Sequence, residues 1–189
     1  MYNNKFFRIA GWCALAGALS MVAAMVFFML SGGSPVAGMV GGILEYISLL
    51  LLIFVFYALY IALRSESKGL SLAGLILLII AIGVDIIANL NYGNITLSNL
   101  WYLVLSLPYL IFGFLAFRST TMSRGFAVVG LLTGVTYFIS GVGGLLGNQN
   151  LADNVSSLSA ILMLVWQVWL WRVFLSRKFV TAIPEMATA

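Results

Sequence analysis

The chain has 189 residues, of which 63% are hydrophobic and 7% are charged, and its formal net charge is +4. Soluble domains carry roughly 25% charged residues, so this composition excludes a soluble globular enzyme and a disordered chain. The lack of histidine excludes haem sites, zinc–imidazole sites and Ser-His-Asp triads, and the single cysteine excludes an internal disulfide. The composition therefore predicts a protein whose solvent is largely lipid.

Six apolar runs, nearly free of charge, follow one another along the chain. Each is long enough to cross a hydrocarbon core of ~30 Å. They cover residues 9–30, 42–63, 70–91, 100–117, 126–146 and 157–175, with short segments rich in Gly, Ser and Asn between several of them. We predict an all-α fold in which residues 1–189 form one polytopic membrane domain, a bundle of six transmembrane helices.

The cations of the chain predict its orientation. The nine Lys and Arg residues all fall on one side of the six-span arrangement: Lys5, Arg8, Arg64, Lys68, Arg118, Arg124, Arg172, Arg177 and Lys178. The opposite loops, at 31–41, 92–99 and 147–156, contain none. The positive-inside rule then places both termini in the cytoplasm (N-in/C-in), and we expect a bacterial inner membrane. The pI of 9.4 reflects this topology and membrane lipids as partners, and no nucleic acid is needed to explain it.

Two cytoplasmic turns resemble each other. Lys68-Gly69 is followed by Gly74-Leu75, and Arg124-Gly125 is followed at the same spacing by Gly130-Leu131. Spans 2–3 and 4–5 are therefore candidate parallel copies of one hairpin, and in transport folds a binding site often lies between such copies. The alternative is that any tight cytoplasmic turn favours Ser, Gly and a cation.

Several short stretches also resemble those of a known group of proteins. They read Phe7-Arg8-Ile9-Ala10-Gly11, Tyr57-Ala58-Leu59-Tyr60 before Leu63-Arg64, and Phe117-Arg118-Ser119 before Gly130-Leu131. In these stretches the chain resembles small bacterial membrane proteins classified only as a domain of unknown function. The resemblance implies a six-helix bacterial membrane protein and supplies no catalytic residues.

Two carboxylates fall within the apolar runs, where ionisable groups are costly and mark candidate sites. Glu45 lies 19 residues before Arg64, about 28 Å along a helix axis. Asp85 lies 16 residues after Gly69, about 24 Å by the same rise. Both are therefore expected in the outer part of the hydrocarbon layer, at similar depth. Asn89, one turn beyond Asp85 on the same helical face, can share a hydrogen bond with it.

The predicted outer half has no Lys, Arg or His, so neither carboxylate can form a salt bridge within the chain. The remaining possibilities are protonation, water, a cation from elsewhere, or hydrogen bonds from Asn89, Asn91, Asn99, Tyr46 or Tyr102. Asp85, Glu45 and Asn89 are thus a candidate site for a proton, a cation or an amine. The alternative is that both carboxylates reach the outer interface and are hydrated there. Gln167, in span 6, is expected to bond across helices or to interfacial water.

Small residues recur at helical spacing in two spans. Span 1 has Ala10, Ala14 and Ala18, and span 5 has Gly130 with Gly134 and Gly143 with Gly147. Small residues at this spacing let helix backbones approach closely, either within the chain or against another membrane protein or a second copy.

Sulfur-bearing and aromatic residues complete the pattern. Met21, Met25 and Met29 form a stripe with Cys13, a set that suits Cu(I), although packing is the simpler interpretation. Accordingly we expect no metal and no cofactor.

Trp166, Trp169 and Trp171 lie close to Arg172 in sequence and predict an inner aromatic belt, and Trp101 with Tyr102 predicts the outer one.

The sequence thus favours a non-catalytic integral membrane protein with an interaction or assembly role, acting through the small-residue faces. The alternative is a small transporter or ligand-binding membrane subunit that uses Asp85, Asn89 and Glu45. An intramembrane enzyme acting on a lipid ranks last, because it would have two carboxylates and no histidine.

Overall fold

The computed structural model describes residues 4–30, 34–91 and 94–176. Its six helices are α1 (Asn4–Leu30), α2 (Pro35–Leu63), α3 (Lys68–Leu90), α4 (Ile95–Arg118), α5 (Arg124–Leu145) and α6 (Gln149–Leu175). All six are long and apolar enough to span a membrane. The prediction of an all-α fold with six long apolar helices is confirmed. The loop segments 31–33 and 92–93, and the cations Arg177 and Lys178, lie outside the described residues.

Four helices, α1, α2, α4 and α6, begin well before the predicted spans, because their first turns fall outside the marked apolar runs. α2, α4 and α6 begin after the N-caps Ser34, Asn94 and Asn148, whose side chains accept the backbone N–H three residues on. Such caps satisfy amides that the first turn of a helix leaves unpaired. Apolar runs mark the hydrocarbon-length part of each helix and miss the polar cap and the turn that follows it.

The helices form an antiparallel ring in chain order, closed by contacts between α1 and α6. Gly11 of α1 lies against Trp171 and Phe174 near the end of α6, and Gly17 lies against Ser48 of α2. α4 and α5 form the most extensive interface, whereas α2 and α3 form the least extensive one between consecutive helices.

Because successive helices run in opposite directions, the positive and most of the negative side chains lie at opposite ends of the bundle. The described cations all lie at or near one end, called here the basic end: Lys5, Arg8, Arg64, Lys68, Arg118, Arg124 and Arg172. The opposite half, called here the acidic end, holds Glu45, Asp85 and Asp153, with no Lys or Arg among its described residues.

An aromatic core fills the bundle between Glu45 and the basic end. The ring centroid of Phe56 in α2 lies 5.4 Å from that of Tyr109, 5.2 Å from Phe112 and 5.5 Å from Trp166. Phe126 of α5 stacks on Trp166 at 5.1 Å. Trp166 is 0% exposed, so its predicted place in an aromatic belt is wrong. Burial of the Trp166 indole at the bundle centre is favourable because a large aromatic side chain buries much apolar area there.

The small residues singled out in the sequence are mostly used inside the chain. Ala10, Ala14 and Ala18 are buried in the bundle. A Cβ added to Gly130 would lie 2.8 Å from Trp166 Nε1, and one added to Gly134 would lie 2.9 Å from the backbone nitrogen of Leu110. Gly143 faces Leu151, while Gly147 follows the end of α5 with φ of 85°, which favours glycine. The close approaches therefore join helices of one chain.

The two candidate hairpin copies share one packing detail. Gly74 of α3 receives the ring of Phe112 from α4, and Gly130 of α5 receives the ring of Trp166 from α6. In each case the glycine leaves space for an aromatic residue of the following helix. The repeat stays a prediction, because α2 packs on α3 far less extensively than α4 packs on α5.

Candidate functional site

Asp85 lies on the buried face of α3. It shares that face with Leu78, Ala81 and Ile82, at the helical spacing that turns one stripe toward a core. The residue is 5% exposed, and its Oδ2 has no hydrogen-bond partner among the described residues. A buried polar atom without a partner is costly and marks a place where a ligand, proton or water is expected.

Glu45 approaches Asp85 from α2. The two carboxyl groups are close enough to interact electrostatically, as their predicted similar depth requires. Glu45 is partly buried and shares its helical face with Ser48, Leu49 and Leu52. Since no described Lys or Arg lies in this half of the bundle, the pair has no compensating charge from those residues. Two adjacent carboxylates in an apolar bundle require a proton or another cation.

The hydrogen-bond donors expected around the pair are only partly brought to it. Asn89 is half-buried, and within the described chain no hydrogen bond joins it to Asp85. Asn91 donates instead to Ile87 O at 2.8 Å, at the end of its own helix. Asn99 donates to Gln149 Oε1 at 3.4 Å, which ties α4 to the start of α6.

Tyr102 of α4 lies near enough to both carboxylates to interact with them electrostatically, without a hydrogen bond to the Oδ2 of Asp85. It also approaches Ser156 and Asp153 of α6. Its ring is close to that of Trp101, with centroids 4.8 Å apart, and stacks on Tyr137 at 6.0 Å. Tyr102 therefore connects the carboxyl pair with the acidic surface of α6.

A small cavity lies on the other side of Glu45, inside the ring of helices. The centre of a water molecule can occupy about 20 Å³ of this cavity, so the cavity has space for about one or two waters. Five helices contribute its lining, which consists of Met21, Glu45, Ser48, Leu49, Leu52, Trp101, Leu105, Tyr137, Met163 and Gln167. The cavity thus extends the carboxyl site toward the bundle centre.

Gln167 and Trp101 contribute the cavity's unpaired polar atoms. Gln167 is 1% exposed, and its Oε1 has no hydrogen-bond partner among the described residues. The predicted bond from Gln167 across helices is therefore not formed by this oxygen. The Nε1 of Trp101 is likewise buried without a partner, although the sequence places Trp101 in an outer belt. The side-chain pattern cannot reveal either role, because each depends on which helices meet.

The methionine stripe does not gather into one site. Met21 lines the cavity opposite Met163 of α6, whereas Met29 is 83% exposed. Within the described residues, no three His, Cys, Asp or Glu side chains are grouped so that they could hold a metal ion.

The arrangement can hold a positive charge in an apolar bundle, flanked by aromatic rings and a buried amide.

No protein family, curated protein or solved structure matches the chain. The argument for function therefore comes from the geometry of this site.

Proposed function

We propose that the chain is a multi-pass integral protein of the plasma (inner) membrane that binds and moves a small cation, the proton included. Asp85 and Glu45 form its site, with Tyr102 beside them. The observation that carries the proposal is the buried Asp85 carboxyl, which has an unpartnered oxygen and interacts electrostatically with the Glu45 carboxyl, in a half of the bundle where no described residue is Lys or Arg. Ionisable groups within membrane spans are costly and commonly mark ion pathways and proton relays.

The membrane placement rests on length and charge. The six helices are long and apolar enough to span, and the described cations lie at or near one end. Under the positive-inside rule that end, with both termini, faces the cytoplasm. Membrane lipids are then the surrounding partners, with anionic head groups attracted to the basic end.

Labelling of single cysteines tests this topology. In a chain with Cys13 replaced by alanine, Asn150→Cys should react in whole cells with a membrane-impermeant maleimide. Ser65→Cys should react only after the cells are permeabilised, because it lies in the α2–α3 turn at the basic end. The reverse pattern would overturn the orientation, and equal reaction at both positions would overturn the spanning arrangement.

A role in assembly through the small-residue faces is the competing proposal. Its residues on α1 and α5 are largely buried against helices of the same chain, which leaves little of those faces for a partner. A catalytic role has weaker support still, since the sequence offers no histidine and no nucleophile–base pair. We therefore place cation binding and transport first, as a non-catalytic function.

Replacing Asp85 tests the transport proposal directly. Purified protein in liposomes should carry a flux of protons, Na⁺, K⁺ or methylammonium, measured one cation at a time with the membrane potential clamped. Asp85→Asn keeps the side-chain shape but removes the charge, and should lower the supported flux by about 10²-fold, the lower end of what a positioned proton-transferring group contributes to a rate.

Glu66→Gln is the matched control, because it makes the same carboxyl-to-amide change in the turn at the basic end. It should leave the flux unchanged. The proposal fails if Asp85→Asn and the wild type carry equal flux of every cation tested.

A further inference from the structure

The cavity beside Glu45 presents both a hydrogen-bond acceptor and a hydrogen-bond donor. Gln167 Oε1 needs a donor and Trp101 Nε1 needs an acceptor, and neither atom has a partner among the described residues. A metal ion or an ammonium ion would serve the acceptor alone. A water molecule can donate to Gln167 and Glu45 and accept from Trp101, and a buried water requires two to four such partners.

The size of the cavity also favours water as its occupant. Its ≈ 20 Å³ of water-accessible space suits about one or two waters and is too small for a hydrated inorganic cation or a bulky organic amine. Its remaining lining is apolar, aromatic or thioether, as with Leu49, Tyr137 and Met163. Hard cations need several oxygen ligands, and this lining does not supply them.

We infer that the cation is the proton and that water held by Glu45, Gln167 and Trp101 continues its path inward from Asp85. This inference rests on the proposed function and names its substrate. When the proton moves inward, the O–H bond of the Asp85 carboxyl breaks and an O–H bond forms on Glu45, while one negative charge returns to Asp85. Glu45 then shares the proton with the water through a hydrogen bond, so that the proton is held between the Glu45 carboxylate and the water oxygen.

The groups that face the carboxyl pair are compatible with this relay. Tyr102 faces it from α4, with Asp153 of α6 and Tyr137 of α5 close to Tyr102. α1 contributes the uncharged Met21 to the cavity. None of these groups is a cation, so the proton carries the compensating charge.

The path ends at the aromatic core. Phe56 lies 11 residues beyond Glu45 on α2, about 16 Å along the axis, and packs against rings from α4 and α6. The rings of Phe56, Phe112 and Trp166 are fully buried and pack together at this level of the bundle. In the proposed path the proton therefore stops at these rings, and transfer across the membrane requires them to separate.

Gln167→Leu is the sharpest variant for this inference. Leucine replaces the buried amide with an apolar side chain of similar size and removes an unpaired acceptor, so the thermal stability should stay the same or rise. Proton flux into liposomes, followed with a trapped pH dye, should nevertheless fall by at least about tenfold, because the water loses an anchor.

Two further variants complete the set. Glu45→Gln should also lower the proton flux by at least about tenfold. Thr133→Val should leave it unchanged, because this buried hydroxyl bonds within its own helix, to Val129 O at 2.8 Å, away from the cavity. Excess Na⁺ or methylammonium should not compete with the proton.

The outcomes separate the two proposals. Proton flux that depends on Asp85, Glu45 and Gln167 supports the inference. Flux of Na⁺ or methylammonium that depends on Asp85, without proton flux, overturns the inference and keeps the proposed function. Proton flux insensitive to Gln167→Leu overturns the water relay alone. Equal fluxes in the wild type, Asp85→Asn and Glu45→Gln overturn both proposals.

Discussion

Gly134→Leu is expected to unfold the bundle in mild detergent at temperatures where the wild type is stable. A Cβ at this position would lie 2.7 Å from Leu110 Cγ and 2.9 Å from the backbone nitrogen of Leu110. The side chain of Leu110 can rotate away, but its backbone in α4 cannot. α4 and α5 would therefore have to separate along the most extensive interface of the fold. Overpacking of this kind costs about 3 kcal/mol or more.

Gly83→Leu supplies the matched control, since nothing lies within 4 Å of a Cβ added there. The same change should be neutral or should stabilise α3 by up to about 1 kcal/mol, because glycine is a poor helix former. Thermal unfolding followed by tryptophan fluorescence, together with size-exclusion chromatography, measures both variants. A Gly134→Leu protein that unfolds at the wild-type temperature but elutes as a smaller particle would contradict the intrachain role and revive the assembly proposal.

Phe56→Ala is expected to produce the second large effect. Phe56 is fully buried and touches Tyr109 and Phe112 of α4 and Trp166 of α6 at once. Removing a buried phenyl ring costs about 3–5 kcal/mol, because its neighbours collapse only partly into the space left behind. The same space would join the cavity beside Glu45 to the basic half, so a proton leak through the bundle should accompany the loss of stability.

Phe138→Ala is the control for this prediction, because the Phe138 ring on α5 is 44% exposed on the outside of the bundle. It should change stability by no more than about 0.5 kcal/mol and should cause no leak. Phe56→Leu should recover most of the lost stability and stop the leak by refilling the space. A Phe56→Ala protein as stable and as tight to protons as the wild type would contradict the sealing role of the aromatic core.

The helices were predictable because lipid imposes a simple requirement on sequence. A segment that crosses hydrocarbon must be apolar over its whole length and must satisfy its own backbone, so composition alone marks it. The ends were less predictable. Ser34, Asn94 and Asn148 are polar caps that lie outside the apolar runs, and only the capping pattern could have indicated these helix starts.

The sequence could identify the charged residues of the candidate site but not its neutral residues. Asp85 and Glu45 stand out because a carboxylate in an apolar run needs an explanation. Gln167 and Trp101 become informative only when α4 and α6 converge on α2, and sequence spacing within one helix carries no information about that convergence. For the same reason Trp166 is a core residue, although its proximity to Arg172 in sequence resembles an aromatic belt.

Closure of the ring by α1 and α6 has a consequence for biosynthesis. The face of α1 that carries Gly11 finds Trp171 and Phe174 only after the last helix has left the ribosome. Contacts between the two ends of a chain raise its contact order and delay completion of the fold. With the chain in the proposed membrane arrangement, α1 must stay at the translocon, or be shielded by lipid, until α6 arrives. A ribosome-stalled chain that lacks α6 should expose this face to crosslinking, and release of the full chain should end that exposure.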